Sequence, residues 1–230
     1  PSEVDMLVPA AVGEGHFWHA FDIEPMVMIY NSDLVPQEKA PKSWKDMLSP
    51  EYKGKIACAD PTTSSSSYGV LMGIINAYGT DGGGYDFVSQ LVEALDGKIL
   101  SSSSAVYKGV AEGEYVIGMT YEEAALRYIK AGEPLVVVYP EEGTYSAPSP
   151  VAIVNNCKNL SSAQKFVDFV LGAEVQSQLA SLNRRSSRKD IPVATNMQPM
   201  EKIKFVDYDF AWSTSHEKEF KDTWMDYVSR

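Results

Sequence analysis

Two blocks of hydroxyls are the residues in this chain best placed to do chemistry. Ser64, Ser65, Ser66 and Ser67 stand just before Tyr68-Gly69, and Ser101 is followed by Ser102, Ser103 and Ser104 ahead of AVYKG. Each block follows a short apolar run and opens a stretch with helical periodicity. The first turn of a helix leaves backbone N–H groups unpaired and carries partial positive charge. Hydroxyls placed there add donors, so such a turn is a ready anion site. A helix cap needs only one hydroxyl. Four at each of two helix starts point to an oxyanion held from two sides, with simple capping as the alternative for either block alone.

Tyrosines and carboxylates cluster in the same neighbourhoods. Tyr107, Tyr121 and Tyr145 flank predicted loops, where a phenol can bind a hard metal ion or a ligand, or pack its ring and keep its hydroxyl wet. Glu122, Glu123, Glu141 and Glu142 could hold an amine or sugar hydroxyls, or lie on a solvated face. His16 and His19 flank Phe17-Trp18 at i, i+3. With no third ligand suggested, an aromatic packing segment is the expectation and no metal site is assigned. Asn183 to Asp190 (NRRSSRKD) concentrates the positive charge, read as a solvated face or as one arginine reaching a cleft.

Enzyme signatures are poor. S-x-x-K occurs at Ser162–Lys165 and Ser186–Lys189 without its partner motifs, and G-x-S-x-G, H-E-x-x-H and the P-loop are absent. No nucleophile is assembled with a base, so no catalytic residue and no cofactor are assigned. A serine-dependent hydrolase and a purely structural role are alternatives from other classes.

The elements that must position these residues alternate short apolar runs with amphipathic helices, an α/β pattern. Strands are expected at Met26–Tyr30, Lys55–Ala59, Lys98–Leu100, Tyr115–Met119, Leu135–Tyr139 and Val151–Val154. Ser43 caps a short helix ended by Pro50. Longer helices follow both serine blocks and span the Phe87–Leu95 region, Tyr121–Ala131, Ser161–Leu171, Glu174–Leu182 and the tail around Phe220 and Trp224.

Composition narrows the class. The chain has 230 residues, with 20 Lys+Arg against 31 Asp+Glu, a formal charge of −11. Such a surface repels phosphate backbones and argues against nucleic acid. No stretch is apolar enough to span a bilayer, so direct membrane insertion is not expected. The opening PSEVDMLVPA lacks a basic start and an apolar run, and reads as a mature or trimmed product. Cys58 and Cys157 build neither a disulfide scaffold nor a C-x-x-C metal motif; Cys58, in KIACA, reads as a small buried thiol.

The string KSWKDMLSPEYKGKIACADP resembles a characteristic segment of bacterial extracytoplasmic solute-binding proteins of ABC importers, the group with ferric-iron, aminoethylphosphonate, thiamine and sugar-phosphate binders. IEPMVMIYNSDLV, the serine turn after Asp60-Pro61, AEGEYVIGMTYEEAA, VVVYPEEGT and VAIVNNCKNLSSAQKFVDFVLGAEVQSQLA follow in the family's order. The resemblance runs from about Pro25 to Asp190. It implies a bilobal type II periplasmic-binding-protein-like fold: two α/β lobes joined by two crossing strands, closing on ligand by hinge rotation.

On that resemblance, residues 1–31 are a remnant of lobe 1 with the first crossing, and 32–141 form lobe 2. Residues 142–190 make the second crossing and return to lobe 1, and 191–230 pack as a tail at the lobe interface. The βαβαβ start of lobe 1 in family members has no counterpart here. The ligand implied is a small phosphorylated or phosphonate solute, with Ser64–Ser67 and Ser102–Ser104 clamping its anion. Tyr121, Glu122, Glu142 and Tyr145 would read its other end. Ferric binders usually carry adjacent tyrosines, which this chain lacks, so a ferric-ion or ferric-complex carrier is the alternative. The implied partner is an ABC permease, and the implied location is outside the cytoplasmic membrane, in a periplasm or tethered as a lipoprotein.

Overall fold

The computed structural model describes residues 1–230, the side chain at position 147 excepted. Six strands, β1 (His19–Asn31), β2 (Ile56–Ala57), β3 (Ile117–Tyr121), β4 (Leu135–Val138), β5 (Ser146–Val151) and β6 (Arg185–Ser186), combine with eight α-helices among the described residues. These are α1 (Ser65–Tyr78), α2 (Gly83–Leu95), α3 (Ser103–Ala111), α4 (Glu122–Lys130), α5 (Leu160–Leu171), α6 (Ala173–Ser181), α7 (Phe210–Ser215) and α8 (Glu217–Val228). The chain divides into two compact units, Pro1–Glu24 with Ser146–Lys202, and Pro25–Tyr145 with Ile203–Arg230. The predicted crossing at Met26–Asn31 thus lies wholly in the second unit. The tail expected as one piece over 191–230 divides at 202/203, because α8 packs on α2 while the segment before it stays with the first unit.

β1 is longer than its apolar run predicts. Its second half, Met26–Asn31, is buried throughout and pairs antiparallel with both β3 and β4. A strand covered on both faces reads as a continuous apolar run, which is what MVMIY is. Its first half carries His19, Asp22 and Glu24, a polar pattern that hides a strand, yet Asp22 and Ile23 pair with Ser186 and Arg185 of β6. Pro25, which has no N–H to give, falls between the two paired stretches.

In the second unit the strand order is β2-β3-β1-β4, with β2 parallel to β3. The predicted strand Lys98–Leu100 reduces to a single parallel bridge, Leu100 to Ala59. Alternation sorts the two faces. Val27, Ile29, Ala57 and Ala59 pack beneath α3 and α4 with Val106, Val110, Ala124 and Ala125. Cys58 points the other way, its Sγ 3.9 Å from Ser67 Oγ of α1. Three parallel strand ends, at Leu100, Ala59 and Tyr121, therefore feed the starts of α3, α1 and α4 at one end of the sheet.

The first unit has its own core of Leu7, Ala11, Ala20, Val167 and Leu171, with Trp18, Phe21, Val151 and Ile153 against it. Gln176 of α6 is fully buried and satisfied: its amide nitrogen donates to Phe21 O (2.7 Å) and Val170 O (3.1 Å). Its oxygen accepts from Ser186 Oγ (2.7 Å) and Ser187 N (3.0 Å). The strand expected at Val151–Val154 lies earlier, at Ser146–Val151. The basic run is not a solvated face. Arg184 pairs with buried Asp22, Arg185 donates to Gln198 O at 2.7 Å, and Arg188 forks onto Asp190 at 2.9 Å while also reaching Glu3. No helix among the described residues is long and apolar enough to cross a membrane.

Candidate functional site

The two serine blocks fold into the same device. Asp60 begins the first: its carboxylate accepts from Thr62 N (2.8 Å) and Thr62 Oγ1 (2.7 Å), and its carbonyl from Ser64 N (2.9 Å). That turn delivers Ser64 as the N-cap of α1, where its Oγ accepts from Ser67 N at 3.3 Å and lies 3.3 Å from Ser66 Oγ. Ser102 caps α3 in the same way, accepting from Ala105 N at 3.3 Å and lying 3.1 Å from Ser104 Oγ. One serine in each block is thus consumed by capping. Ser67 is also taken, buried with its Oγ donating to Ala59 O at 2.5 Å.

What the caps leave is a set of open donors. The N–H groups of Ser65 and Ser66 on α1, and of Ser103 and Ser104 on α3, find no acceptor among the described residues. Ser65 and Ser104 are exposed; Ser66 and Ser103 are half-buried. Because Leu100 and Ala59 are bridge partners, these two first turns leave neighbouring strands. Open amides, side-chain hydroxyls and two positive helix ends on adjacent strands suit a small oxyanion. In open α/β sheets, ligands sit outside the carboxyl ends of the parallel strands.

The third strand end adds Tyr121 and Glu122. Tyr121 is the N-cap residue of α4 and meets the edge of Tyr107 at 6.1 Å. Arg127 donates to the Tyr107 hydroxyl at 3.4 Å, tying α4 to α3. Glu122 is buried in the first turn of α4, where the Tyr139 hydroxyl donates to it.

Glu142 and Tyr145 are placed elsewhere. Both Glu142 oxygens are engaged at the start of the short 3-10 helix Trp44–Leu48, accepting from Trp44 N at 3.0 Å, Lys45 N at 3.4 Å and the Tyr78 hydroxyl. The carboxylate expected to read a ligand is a cap in the fold. Tyr145 stacks on Tyr208 at 4.0 Å, lying against α1 at Gly69 and Gly73, well below its first turn. Burial, with the neighbouring Tyr208 and Tyr68, pushes its hydroxyl pKa up, so it stays a phenol.

Thr120 was not singled out by sequence reasoning. It is 2% exposed, directly before Tyr121, and its Oγ1 has no hydrogen-bond partner among the described residues. A threonine inside a strand carries no signal beyond β propensity. A buried hydroxyl left alone costs about 1–3 kcal/mol, so it calls for a water or a ligand atom.

The profile of a family described as bacterial extracellular solute-binding protein matches residues 11–214. The spermidine/putrescine-binding periplasmic protein of Escherichia coli is 29% identical over 156 residues, 65% of this chain and 43% of its own. A protein of Haemophilus influenzae matched over 197 residues is covered to 56%, so the chain spans about half the length of these curated relatives. Among solved structures, the periplasmic binding protein AfuA of Actinobacillus pleuropneumoniae, with fructose-6-phosphate bound, superposes with a TM-score of 0.85 at 24% identity. That match covers 98% of this chain and 74% of AfuA. A ferric binding protein of Campylobacter jejuni gives 0.81 at 19% identity, covering 97% and 74%. At these identities the likeness establishes the fold, that of type II periplasmic binding proteins.

Proposed function

The chain belongs to the family of bacterial extracellular solute-binding proteins, and from that premise we propose that it captures a small oxyanion-bearing solute for an ABC importer. The ligand class is a phosphorylated or phosphonate compound, bound without chemical change. The protein works outside the cytoplasmic membrane and hands its ligand to a membrane permease.

The observation that carries this reading is the pair of serine-opened helices on adjacent strands, each with two first-turn N–H groups left open by its cap. Charge-assisted hydrogen bonds from such donors discriminate oxyanions by shape. Ser65, Ser66, Ser103 and Ser104 supply hydroxyls, and Thr120 stands one residue before the end of β3, the strand paired in parallel with β2. Tyr121 and Glu122 flank the same edge, where a carboxylate suits the amine or hydroxyl end of a bifunctional ligand. The sugar phosphate in AfuA supports the class.

The test is titration calorimetry with a sugar phosphate and an aminoalkylphosphonate, on the native chain and on a variant with Ser65, Ser66, Ser103 and Ser104 changed to alanine. The capping serines are left in place, so the fold is retained. Loss of at least tenfold in affinity is expected; unchanged affinity removes the four hydroxyls from the clamp, and no binding of either ligand by the native chain removes the clamp itself. A ferric carrier is the second reading, favoured by Tyr121 at the strand end and by the likeness to a ferric binding protein. A tyrosinate-to-iron band appearing on loading with ferric citrate, and lost in Tyr121→Phe, would establish it instead.

A further inference from the structure

We propose that His16 and His19, in the first unit, form a second and independent binding site for a borderline transition-metal cation of the Zn²⁺ or Cu²⁺ class. His16 Nδ1 and His19 Nε2 lie 3.4 Å apart. Two imidazole nitrogens on one tetrahedral ion, at bond lengths of about 2.0–2.1 Å, are separated by about 3.3 Å. The ring centroids are 5.6 Å apart and tilted by 31°. The centroid distance exceeds the nitrogen gap by about the two ring radii, so nitrogens, not ring faces, meet across it. As an N–H···N hydrogen bond the gap is long; as a bridge through a cation it fits.

The backbone reinforces this placement. His16 takes φ +59° directly after Gly15 at φ +61°, a left-handed conformation that few side-chain-bearing residues adopt. That turn brings the exposed His16 ring back onto His19, which is 3% exposed and fixed at the start of β1. Both rings line a cavity of about 490 Å³ that Gln164 and Asp168 enter from one face of α5. Among the described residues no third His, Cys, Asp or Glu closes a metal set, so water completes the coordination and the ion exchanges readily. Imidazole ligands favour Zn²⁺, Cu²⁺ and Ni²⁺ over Mg²⁺ and Ca²⁺.

The test is titration calorimetry with ZnCl₂ at pH 7.5 in a non-chelating buffer, repeated with MgCl₂ and with the variant His16→Asn. Asparagine tolerates the left-handed backbone, and position 16 is exposed, so this variant keeps its fold; circular dichroism checks that it does. One Zn²⁺ per chain with no Mg²⁺ heat, weakened tenfold or more in His16→Asn, is the expected result. No saturable Zn²⁺ binding, or equal affinity in the variant, overturns the proposal. The anion site lies in the other unit, so either reading can fail without the other.

Discussion

Gly73 of α1 and Tyr145 stand so close that a Cβ on the glycine would lie 2.7 Å from Cβ of the tyrosine. Four residues earlier, a Cβ on Gly69 would meet the Tyr145 ring at 3.4 Å, an ordinary contact. The two glycines form a groove in which Tyr145 rests with Tyr208 stacked on it. Gly73→Ala should therefore destabilise by about 1–3 kcal/mol, the overpacking cost exceeding the helix-propensity gain of about 1 kcal/mol. Gly69→Ala keeps the gain without the clash and should be neutral or stabilising. Urea unfolding of the two variants decides it: equal effects would mean that Tyr145 yields.

Gln176→Leu should cost about 2–4 kcal/mol, because it strands the Phe21 carbonyl and the Ser187 N–H in the first unit's interior. Hydrogen exchange should show the loss concentrated at β6 and the adjoining part of β1. A uniform loss over the whole chain would contradict the confinement of this network to one unit.

Asp46 closes a capping box with Ser43, its Oδ2 accepting from Lys42 N (2.7 Å) and Ser43 N (2.9 Å). Burial acts to raise its pKa, but these bonds outweigh it and hold the carboxyl below the ordinary aspartate range. A depressed folded-state pKa gives stability that is present above the unfolded value and is lost as pH falls through the folded one. Asp46→Asn should flatten the acid side of the stability profile below about pH 4 and leave its slope near neutrality unchanged. An unchanged acid limb would show that Asp46 is not among the groups responsible.

Cys58 is buried, and burial pushes its thiol up to about 12. At pH 8 it is a protonated thiol without access to solvent, while Cys157 is half-buried. Native protein should react with one equivalent of a disulfide reagent and denatured protein with two. Two fast equivalents in the native state would place Cys58 nearer the surface than the fold does.

Local chemistry was legible in the sequence, and distant partnership was not. The serine caps, the Ser43 helix start and the buried run Met26–Tyr30 each depend on neighbours within a few residues, and the structure has all three. Glu142 and Tyr145 look like ligand groups in the sequence because nothing near them announces Trp44, Tyr78 or Tyr208. Arg184 and Arg188 look like solvated charge until Asp22 and Glu3, more than 160 residues earlier, are folded against them. The first half of β1 carries no local strand signal for the same reason: buried Asp22 is paired with a distant arginine.

Pro25 leaves β1 continuous as a polymer but interrupted as a ladder. The amides before it are protected by β6 and those after it by β3 and β4. β1 also pairs with β5, and Met26 N donates to Tyr145 O at 2.9 Å directly after the proline, so hydrogen exchange should sort the amides of β1 by the partner strand each one belongs to.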